Sequence, residues 1–557
     1  MDDSATGSEW DVLFLYSGFF RSGAITGAEI AEGEFLRALI QFRLFRSIRV
    51  FSRLASADVD RLRTHVGSDP DDPYVAFYPV QDMGTIARAS PPTLALCPYT
   101  FQHQLDPLRI ERSFPISGFV HTISDLDAKV GMAKNLRMAD HRFDTAICPT
   151  KSVARVLHAI AAEISTDPGT SPQTHIVPLG VDADAFCPAE AAVRAERRDR
   201  LGVTQDECAF LYVGRLSPWT KMDLLPLLDA FARACEGTSR PLRLLLAGQE
   251  QAGGYVSTLR ARATDLGIAD RLSLLDGIDR DDLPALFSAA DAFVSPSDNR
   301  QETFGLTLVE AMASALPIIA ADWNGYREVI DDAGLLVPTI AAQADRDMAN
   351  DLLYRGPLPT GAHFSQITAV SVSGMASAMI RLAADAPLHD RLCRTALSRY
   401  KHEFRWNRVL DRLLPIWDEQ VRTVAVSHQR PRAKPELTID TERCFSHYPS
   451  RSWSPNLIVR PGRAATVVHD RILAGMAEVA AIDWPLCIRL RDAIETMPGI
   501  AIGRLKSGVG APDGTVARCT AFLVKHGLIE LDWTSAPANL IDDGSNNASS
   551  DCRVVRE

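Results

Sequence analysis

Along most of this chain, short runs of apolar residues alternate with longer stretches in which apolar positions recur every three or four residues. That alternation predicts buried strands of a parallel sheet joined by amphipathic helices. The clearest instance is 293–330, FVSPSDNRQETFGLTLVEAMASALPIIAADWNGYREVI. It predicts a buried strand at Phe293–Pro296, a polar loop, and a helix over about Leu306–Ala315. A second buried strand at Pro317–Ala320 and another polar loop reaching Glu328 complete the unit. The chain opens in the same way: DVLFLYS (Asp11–Ser17) reads as a strand, followed by a loop bearing Gly18, Gly23 and Gly27 and a helix from about Ala28 to Phe45. Further strands are expected at Ile48–Phe51, Tyr74–Tyr78, Thr93–Leu96, Phe119–Thr122 and Thr145–Pro149, with a helix over Lys151–Ile164.

A second series begins with a strand at Phe210 and continues at Leu242–Gly248, Arg271–Leu275 and Ala333–Pro338, with a loop and helix between Gly277 and Asp291. Each series starts as strand, glycine-bearing loop and helix, the opening of a Rossmann-like unit. HIVPLGVDADAFCP (His175–Pro188) separates them, and its proline and glycine punctuation suits an interdomain linker. Ser365–Ala384 and Pro387–Trp406 read as helices. The stretch 404–421 then places Trp406, Leu410, Leu413 and Leu414 on one helical face. Ser427–Pro435, SHQRPRAKP, is a basic linker. Helices at Thr466–Ala480, Leu486–Met497 and Gly514–His526, followed by a strand at Leu528–Asp532, look like a winged-helix module. The residues after Ser535 are polar and read as disordered.

Composition narrows the partners. The 557 residues are 46% hydrophobic and 23% charged, a soluble globular balance with room for more than one core. The formal net charge of −11 makes nucleic acid a poor default partner. Within Thr466–Trp533, seven Lys/Arg face eight Asp/Glu, so the terminal module lacks a basic face. Dimerisation or docking of a protein partner suits it better than DNA. Ten cysteines are scattered without a CxxC pair, which argues against structural zinc and a disulfide framework and fits a reducing cytoplasm. The acidic start MDDSATGSEWD is unlike a signal peptide, and no apolar run approaches the roughly 18 residues that span a bilayer. The stretch 35–54 carries Arg37, Arg43, Arg46, Arg49 and Arg53 and no acid. It suits peripheral contact with an anionic membrane, or a core helix that runs into a strand with its arginines solvated.

The candidate chemistry centres on 302–310. Glu302 lies in the loop before a helix and Glu310 about a turn inside it. Between them Thr303, Phe304, Gly305 and Leu306 form the helix entrance, whose backbone N–H groups favour an anion. This is a phosphate seat flanked by two acceptors suited to hydroxyls. The surrounding S-P-S…E-x-F-G-L…E-A-M-A…P-I-I resembles the E-x7-E motif of retaining nucleotide-sugar glycosyltransferases of family 4, group 1 glycosyltransferases of GT-B architecture. The resemblance spans about Asp11 to Val421.

It implies an α/β fold of two Rossmann-like domains facing across a cleft, plus a small, mostly helical C-terminal domain. The divisions expected are an acceptor domain at 1–190, a donor domain at 191–398 and a crossover helix at 399–426 that packs back on the first domain. A linker at 427–465, the winged-helix-like module at 466–535 and a tail at 536–557 follow.

By the same resemblance, Glu302 contacts the transferred sugar and Glu310 the ribose. Arg215 and Lys221, in GRLSPWTKM, grip the donor diphosphate, with Gly27 nearby. Backbone near Ile278 meets the base, and His121, at a strand's carboxyl end, faces the donor sugar. The loop between Arg215 and Lys221 is one residue longer than the usual GRLxxxKG, and Met222 stands where that pattern has glycine.

The implied activity is transfer of a hexose from a UDP-sugar, or a GDP- or ADP-sugar, to a hydroxyl of a carbohydrate, lipid-linked or small-molecule acceptor. No cofactor or metal is implied, because Arg and Lys can neutralise the departing diphosphate. The D-x-D triplets at 125–127, 182–184 and 345–347 read as chance in an acidic protein. The alternative reading is a catalytically degenerate scaffold or regulator acting through the terminal module.

Overall fold

The computed structural model describes residues 10–17, 27–54, 56–69, 71–105, 108, 114–121, 123–124, 126–138, 143–164, 171–182, 185–251, 253–342, 360–426, 445–463, 467–480 and 482–537. The apolar runs form strands because both their faces are covered, as a parallel sheet between helices requires. The first sheet contains β1 (Trp10–Tyr16), β2 (Phe45–Ser52), β3 (Val75–Pro79), β4 (Leu94–Pro98), β5 (Ile116–Phe119), β6 (Thr145–Cys148) and β7 (Gln173–Ile176). These seven lie in the order β3-β2-β1-β4-β5-β6-β7, every pair parallel. The second contains β8 (Cys208–Val213), β9 (Leu242–Gly248), β10 (Leu272–Asp276), β11 (Ala292–Ser295), β12 (Ile318–Ala321) and β13 (Gly334–Val337). Its order, β10-β9-β8-β11-β12-β13, is again wholly parallel. Both sheets reverse direction of growth beside their first strand, the switch point at which ligands of such sheets bind.

Several boundaries differ from the sequence reading. The first helix spans Gly27–Phe42 and stops at Arg43, whose φ of 46° turns the chain into β2. The basic stretch 35–54 is therefore part helix and part strand, with Arg43, Arg46 and Arg53 exposed, as the reading of a core helix running into a strand expects. Arg43 lies over the Tyr74 ring, Arg46 meets Asp11 at 3.2 Å and Arg49 donates to the Ser90 carbonyl at 3.2 Å. Strand β5 lies three residues before the expected Phe119–Thr122. The helix expected over Ser365–Ala384 is interrupted by β15 (Thr368–Val370), which pairs antiparallel with β14 (Thr339–Ala341). The helix restarts at Val372 after Ser371 caps it by accepting from Gly374 N at 3.1 Å.

Trp406–Ala425 is the element that returns to the first domain. Its apolar face brings Trp417, fully buried, against Trp10, Phe35 and Phe45 at ring separations of 6.1, 6.5 and 5.9 Å. One turn on, the Gln420 amide donates to the carbonyls of Ile116 (3.2 Å) and Phe143 (2.7 Å) and accepts from the Ser117 hydroxyl at 2.6 Å. The amide thus satisfies the edge of β5 where the strand passes beneath the helix.

The C-terminal region holds β16 (Ile458–Pro461), β17 (Ile500–Ala501) and β18 (Ile529–Leu531) in an antiparallel sheet ordered β17-β16-β18. Among the described residues, the helices Val467–Val479, Trp484–Thr496, Ile502–Val509 and Asp513–Lys525 accompany it; the third was not read from the sequence. Of the stretch expected as a linker, 427–444 lies outside the described residues. Residues 445–463 are packed, with Phe445, Tyr448, Leu457 and Val459 buried. Leu473, Leu486 and Phe522 share one apolar core with Leu228, Leu246 and Met379 of the second domain. The end of the expected tail, 538–557, and the glycine loop 18–26 also lie outside the described residues. No helix among the described residues is long and apolar enough to cross a membrane.

Trp417→Ala is expected to destabilise the protein by about 3–5 kcal/mol, because it empties a site walled by three aromatic rings. Chemical denaturation followed by first-domain tryptophan fluorescence measures this; a loss under about 1 kcal/mol would show that the returning helix does not hold the first domain.

Candidate functional site

The carboxyl ends of β8, β9 and β11 bring the predicted residues of the second domain together. After β8, Gly214 and Gly248 pass so closely that a Cβ on Gly248 would lie 1.8 Å from the Gly214 carbonyl oxygen. A Cβ on Gly214 would meet the Tyr212 hydroxyl at 2.6 Å and the Lys221 side chain at 3.2 Å. Only glycine fits either position. The next residue, Arg215, closes its own loop by donating to the Thr220 carbonyl at 2.8 Å and to Gln251 at 3.3 Å. Met222, where glycine was expected, is fully buried in the core. Lys221 reaches across to Glu302 and forms an ion pair with its carboxylate, the two side chains 19% and 13% exposed.

Gly305 adopts φ 86°, ψ 68°, and the helix Leu306–Ala313 begins on it with no side chain capping its entrance. A Cβ there would strike the Tyr326 ring at 2.6 Å and Leu308 at 2.8 Å. Phe304 is buried against Phe404, ring centroids 6.0 Å apart, which anchors the approach to the helix. Glu310, fully buried, faces Arg280 at 2.9 Å, and that guanidinium lies over the Phe186 ring. Ile278 and Leu306 pack on the same apolar cluster, Ile278 just after Gly277, whose φ is 74°. Lys221 and Glu302 thus meet directly, Arg215 shares the loop of Lys221, and Ile278 and Leu306 share one apolar cluster, while Glu310 faces Arg280.

The first-domain candidates are placed differently. His121 lies two residues past β5; its side chain, 9% exposed, stacks with Phe119 and approaches the Glu32 carboxyl at 4.0 Å. Glu32 also accepts from the Ser17 hydroxyl. A cavity of ≈ 20 Å³, room for about one water, lies among Glu32, His121, Cys97, Phe35 and Trp406. Burial pushes His121 down to about 4 and Glu32 up to about 8. Both are neutral at pH 7. It is the His121 backbone that touches the second domain, its carbonyl accepting from the Thr303 hydroxyl at 3.3 Å. Gly27 begins the helix that carries Glu32, and among the described residues a Cβ there would meet nothing within 4 Å.

Further contacts join the domains around the same loop. Ser124 bonds Gln301, and the Thr150 hydroxyl donates to the Thr303 carbonyl at 3.3 Å. Glu328 caps a helix of the other domain, accepting from Lys151 N at 2.6 Å and from Ser152 N and Oγ at 2.8 Å each. A carboxylate suits a helix N-terminus, and here it also ties the two domains. Sequence reasoning missed Glu328 in this role, together with Gln301, Asp298 and Asp223. Each has its partner far along the chain, where no local pattern points. Among the described residues, no three His, Cys, Asp or Glu side chains gather as metal ligands do.

Residues 193–356 match the family described as "Glycosyl transferases group 1". The D-inositol 3-phosphate glycosyltransferase of Mycobacteroides abscessus is 36% identical over 204 residues, 36% of this chain and 42% of that protein. The enzyme of that name from Stackebrandtia nassauensis is 30% identical over 263 residues, 46% of this chain and 51% of that protein. The chain thus spans about half the length of the curated relatives it matches. Among solved structures, Anabaena HepE in complex with UDP and glucose superposes with a TM-score of 0.52 at 18% identity, covering 73% of this chain and 99% of that one. Sucrose-phosphate synthase from Thermosynechococcus elongatus gives 0.53 at 19% identity, covering 75% and 100%. The fold is the two-domain GT-B fold with an added C-terminal region.

The neutral pair in the first domain generates a pH dependence. A carboxyl raised to about 8 by burial stabilises the fold fully below its ordinary value near 4.5, and that contribution is lost as pH rises through about 8. Glu32→Gln imitates the protonated acid and removes the loss. Its melting temperature relative to wild type is expected to rise steadily from pH 5 to pH 8; a difference independent of pH would show that Glu32 is ionised in the folded protein.

Proposed function

We propose that this chain is a retaining, metal-independent glycosyltransferase of family 4 that moves a hexose from a nucleoside diphosphate sugar to an acceptor hydroxyl. The observation that carries this reading is the Lys221–Glu302 pair beside the uncapped entrance at Gly305, with Arg215 on the same loop as Lys221. In this reading the two cations and the helix entrance would take the diphosphate, and the Glu302 carboxylate would accept from sugar hydroxyls. Lys221 and Glu302 neutralise each other, so neither charge is left bare in a largely enclosed site. On binding, Lys221 turns to the phosphates and Glu302 to the sugar, while Glu310 takes the ribose hydroxyls in place of Arg280.

In the transfer, the bond from the sugar's anomeric carbon to the phosphate oxygen breaks and a bond to the acceptor oxygen forms on the same face. The acceptor's proton goes to the departing phosphate, so no separate general base is needed. Arg215, Lys221 and the helix entrance stabilise the charge that grows on the leaving group. Because those groups supply the positive charge themselves, turnover should persist with a chelator present. A uridine donor is the reading supported by HepE, whose structure is described with UDP and glucose. The acceptor would enter from the first domain, between the sheet end near His121 and the Glu302 loop.

Glu302→Gln and Arg215→Ala are each expected to lower UDP-hexose turnover by about 100-fold or more with the fold intact by circular dichroism. Wild-type turnover in either variant would overturn the site. NMR of the product should show the donor's anomeric configuration; an inverted product would overturn the mechanism.

A further inference from the structure

The two donor-side loops are held from behind by the C-terminal region. Lys525, the last residue of the helix Asp513–Lys525, is 1% exposed. Its ammonium forms an ion pair with Asp298 and donates to the Ser365 carbonyl at 2.8 Å. Asp298 stands four residues before Glu302. The same carboxylate oxygen of Asp298 accepts from Asp223 N at 3.3 Å, and Asp223 stands two residues after Lys221. Asp223 accepts in turn from Leu225 N at 3.0 Å and from the Tyr255 hydroxyl at 2.9 Å, and His526 Nε2 lies 3.7 Å from its second oxygen. Arg300, in the Glu302 loop, lies 3.8 Å from the Phe364 ring centroid and 5.5 Å from that of Phe445.

A buried ammonium–carboxylate pair is a poor device for stability alone, since apolar residues of the same volume hold such a contact as well or better. What the pair adds is direction: Asp298 is held at one point, between a cation from one side and the backbone of the neighbouring loop from the other. We propose that the C-terminal region is a positioning element of the donor site, in which Lys525 and His526 hold Asp298 and Asp223 and thereby fix the loops that present Glu302 and Lys221. Its consequence for turnover rests on the function proposed above; its consequence for loop order does not.

The experiment uses the full chain and two variants. Lys525→Met with Asp298→Asn removes both buried charges at once, so that neither is stranded. His526→Gln leaves the ion pair in place and removes the ring that approaches Asp223 and also lies 4.5 Å from the Phe522 ring centroid. Hydrogen exchange is followed in peptides spanning 214–224 and 296–305, with β9 and the helix Val372–Ala384 as internal references. In the double variant, exchange in both loops is expected to quicken by about tenfold or more while the references hold their protection. In His526→Gln the effect is confined to 214–224. Turnover of a UDP-hexose should fall in kcat by about tenfold or more with little change in donor KM, since misplacement by about 1 Å is enough for such a loss.

A merely structural role predicts a lower melting temperature in the double variant with unchanged loop exchange and unchanged kcat, and that result overturns the proposal. Wild-type exchange over 214–224 in His526→Gln overturns it as well, even where the double variant does not fold. If the wild-type chain turns over no nucleoside diphosphate sugar, the functional reading fails, and loop exchange alone decides the positioning.

Discussion

A polar loop buried between three bodies of protein must have most of its groups matched, and the loop 298–303 does so with a different partner at nearly every residue, the Oδ1 of Asp298 being left without a hydrogen bond. Asp298 is held by Lys525, and Asn299 takes the Trp323 indole on its carbonyl at 3.0 Å and donates to the Trp219 carbonyl at 3.4 Å. Arg300 lies against Phe364 and Phe445. Gln301 bonds Ser124 of the first domain, Glu302 pairs with Lys221, and Thr303 meets both Thr150 and the His121 carbonyl. Removing any partner would strand a desolvated polar group at a cost of about 1–3 kcal/mol, more for an ion. Ordering of this loop, approach of the two domains and seating of the C-terminal region are therefore aspects of one packing solution.

The charges around the loop follow a common rule. Each buried carboxylate of the second-domain site faces a cation or a set of N–H donors: Glu302 faces Lys221, Glu310 faces Arg280, Asp298 faces Lys525 and Glu328 faces the start of the helix Lys151–Ile164. Such pairs lower the penalty of burial without adding much net stability. They are also exchangeable in a way that an apolar contact is not. On the function proposed above, a donor phosphate would take the place of Glu302 as the partner of Lys221. The first domain solves the same problem without ions. Burial there favours the neutral forms of both Glu32 and His121.

How much of this was legible in the sequence depended on how local the cause was. The strands at Leu242–Gly248 and Thr145–Cys148 and the helix Lys151–Ile164 fall within a residue of the expected bounds, because periodicity alone specifies them. Strand β5 was misplaced by three residues because Ser117 and Gly118 look like loop. They belong to the strand for reasons set elsewhere: the Ser117 hydroxyl bonds Gln420, and a Cβ on Gly118 would lie 2.7 Å from Gln102 and Tyr99. The E-x7-E pair and the arginine and lysine of the first donor-side loop stood out because each lies in a short motif that resembles a known family, and the roles given to them are what that resemblance implies. Lys525 offered no such signal. Its partner is 227 residues away, and in the sequence it reads as an ordinary basic residue near a helix C-terminus.

The C-terminal region shows what charge counting can and cannot decide. A winged-helix reading would offer the helix Asp513–Lys525 to a nucleic acid groove, and the balance of seven basic to eight acidic residues over 466–533 argues against that. The structure supplies a separate reason. Val516, Ala517 and every residue from Cys519 to Lys525 are buried, and the helix packs beside β15 of the second domain. A domain hung on a flexible linker keeps its own core and presents a polar face to its neighbour. Here Leu473, Leu486 and Phe522 are continuous with Leu228, Leu246 and Met379, so separation would expose apolar surface on both sides. That shared core holds the region in place, and the buried ion pair at its edge transmits the placement to the loop bearing Glu302.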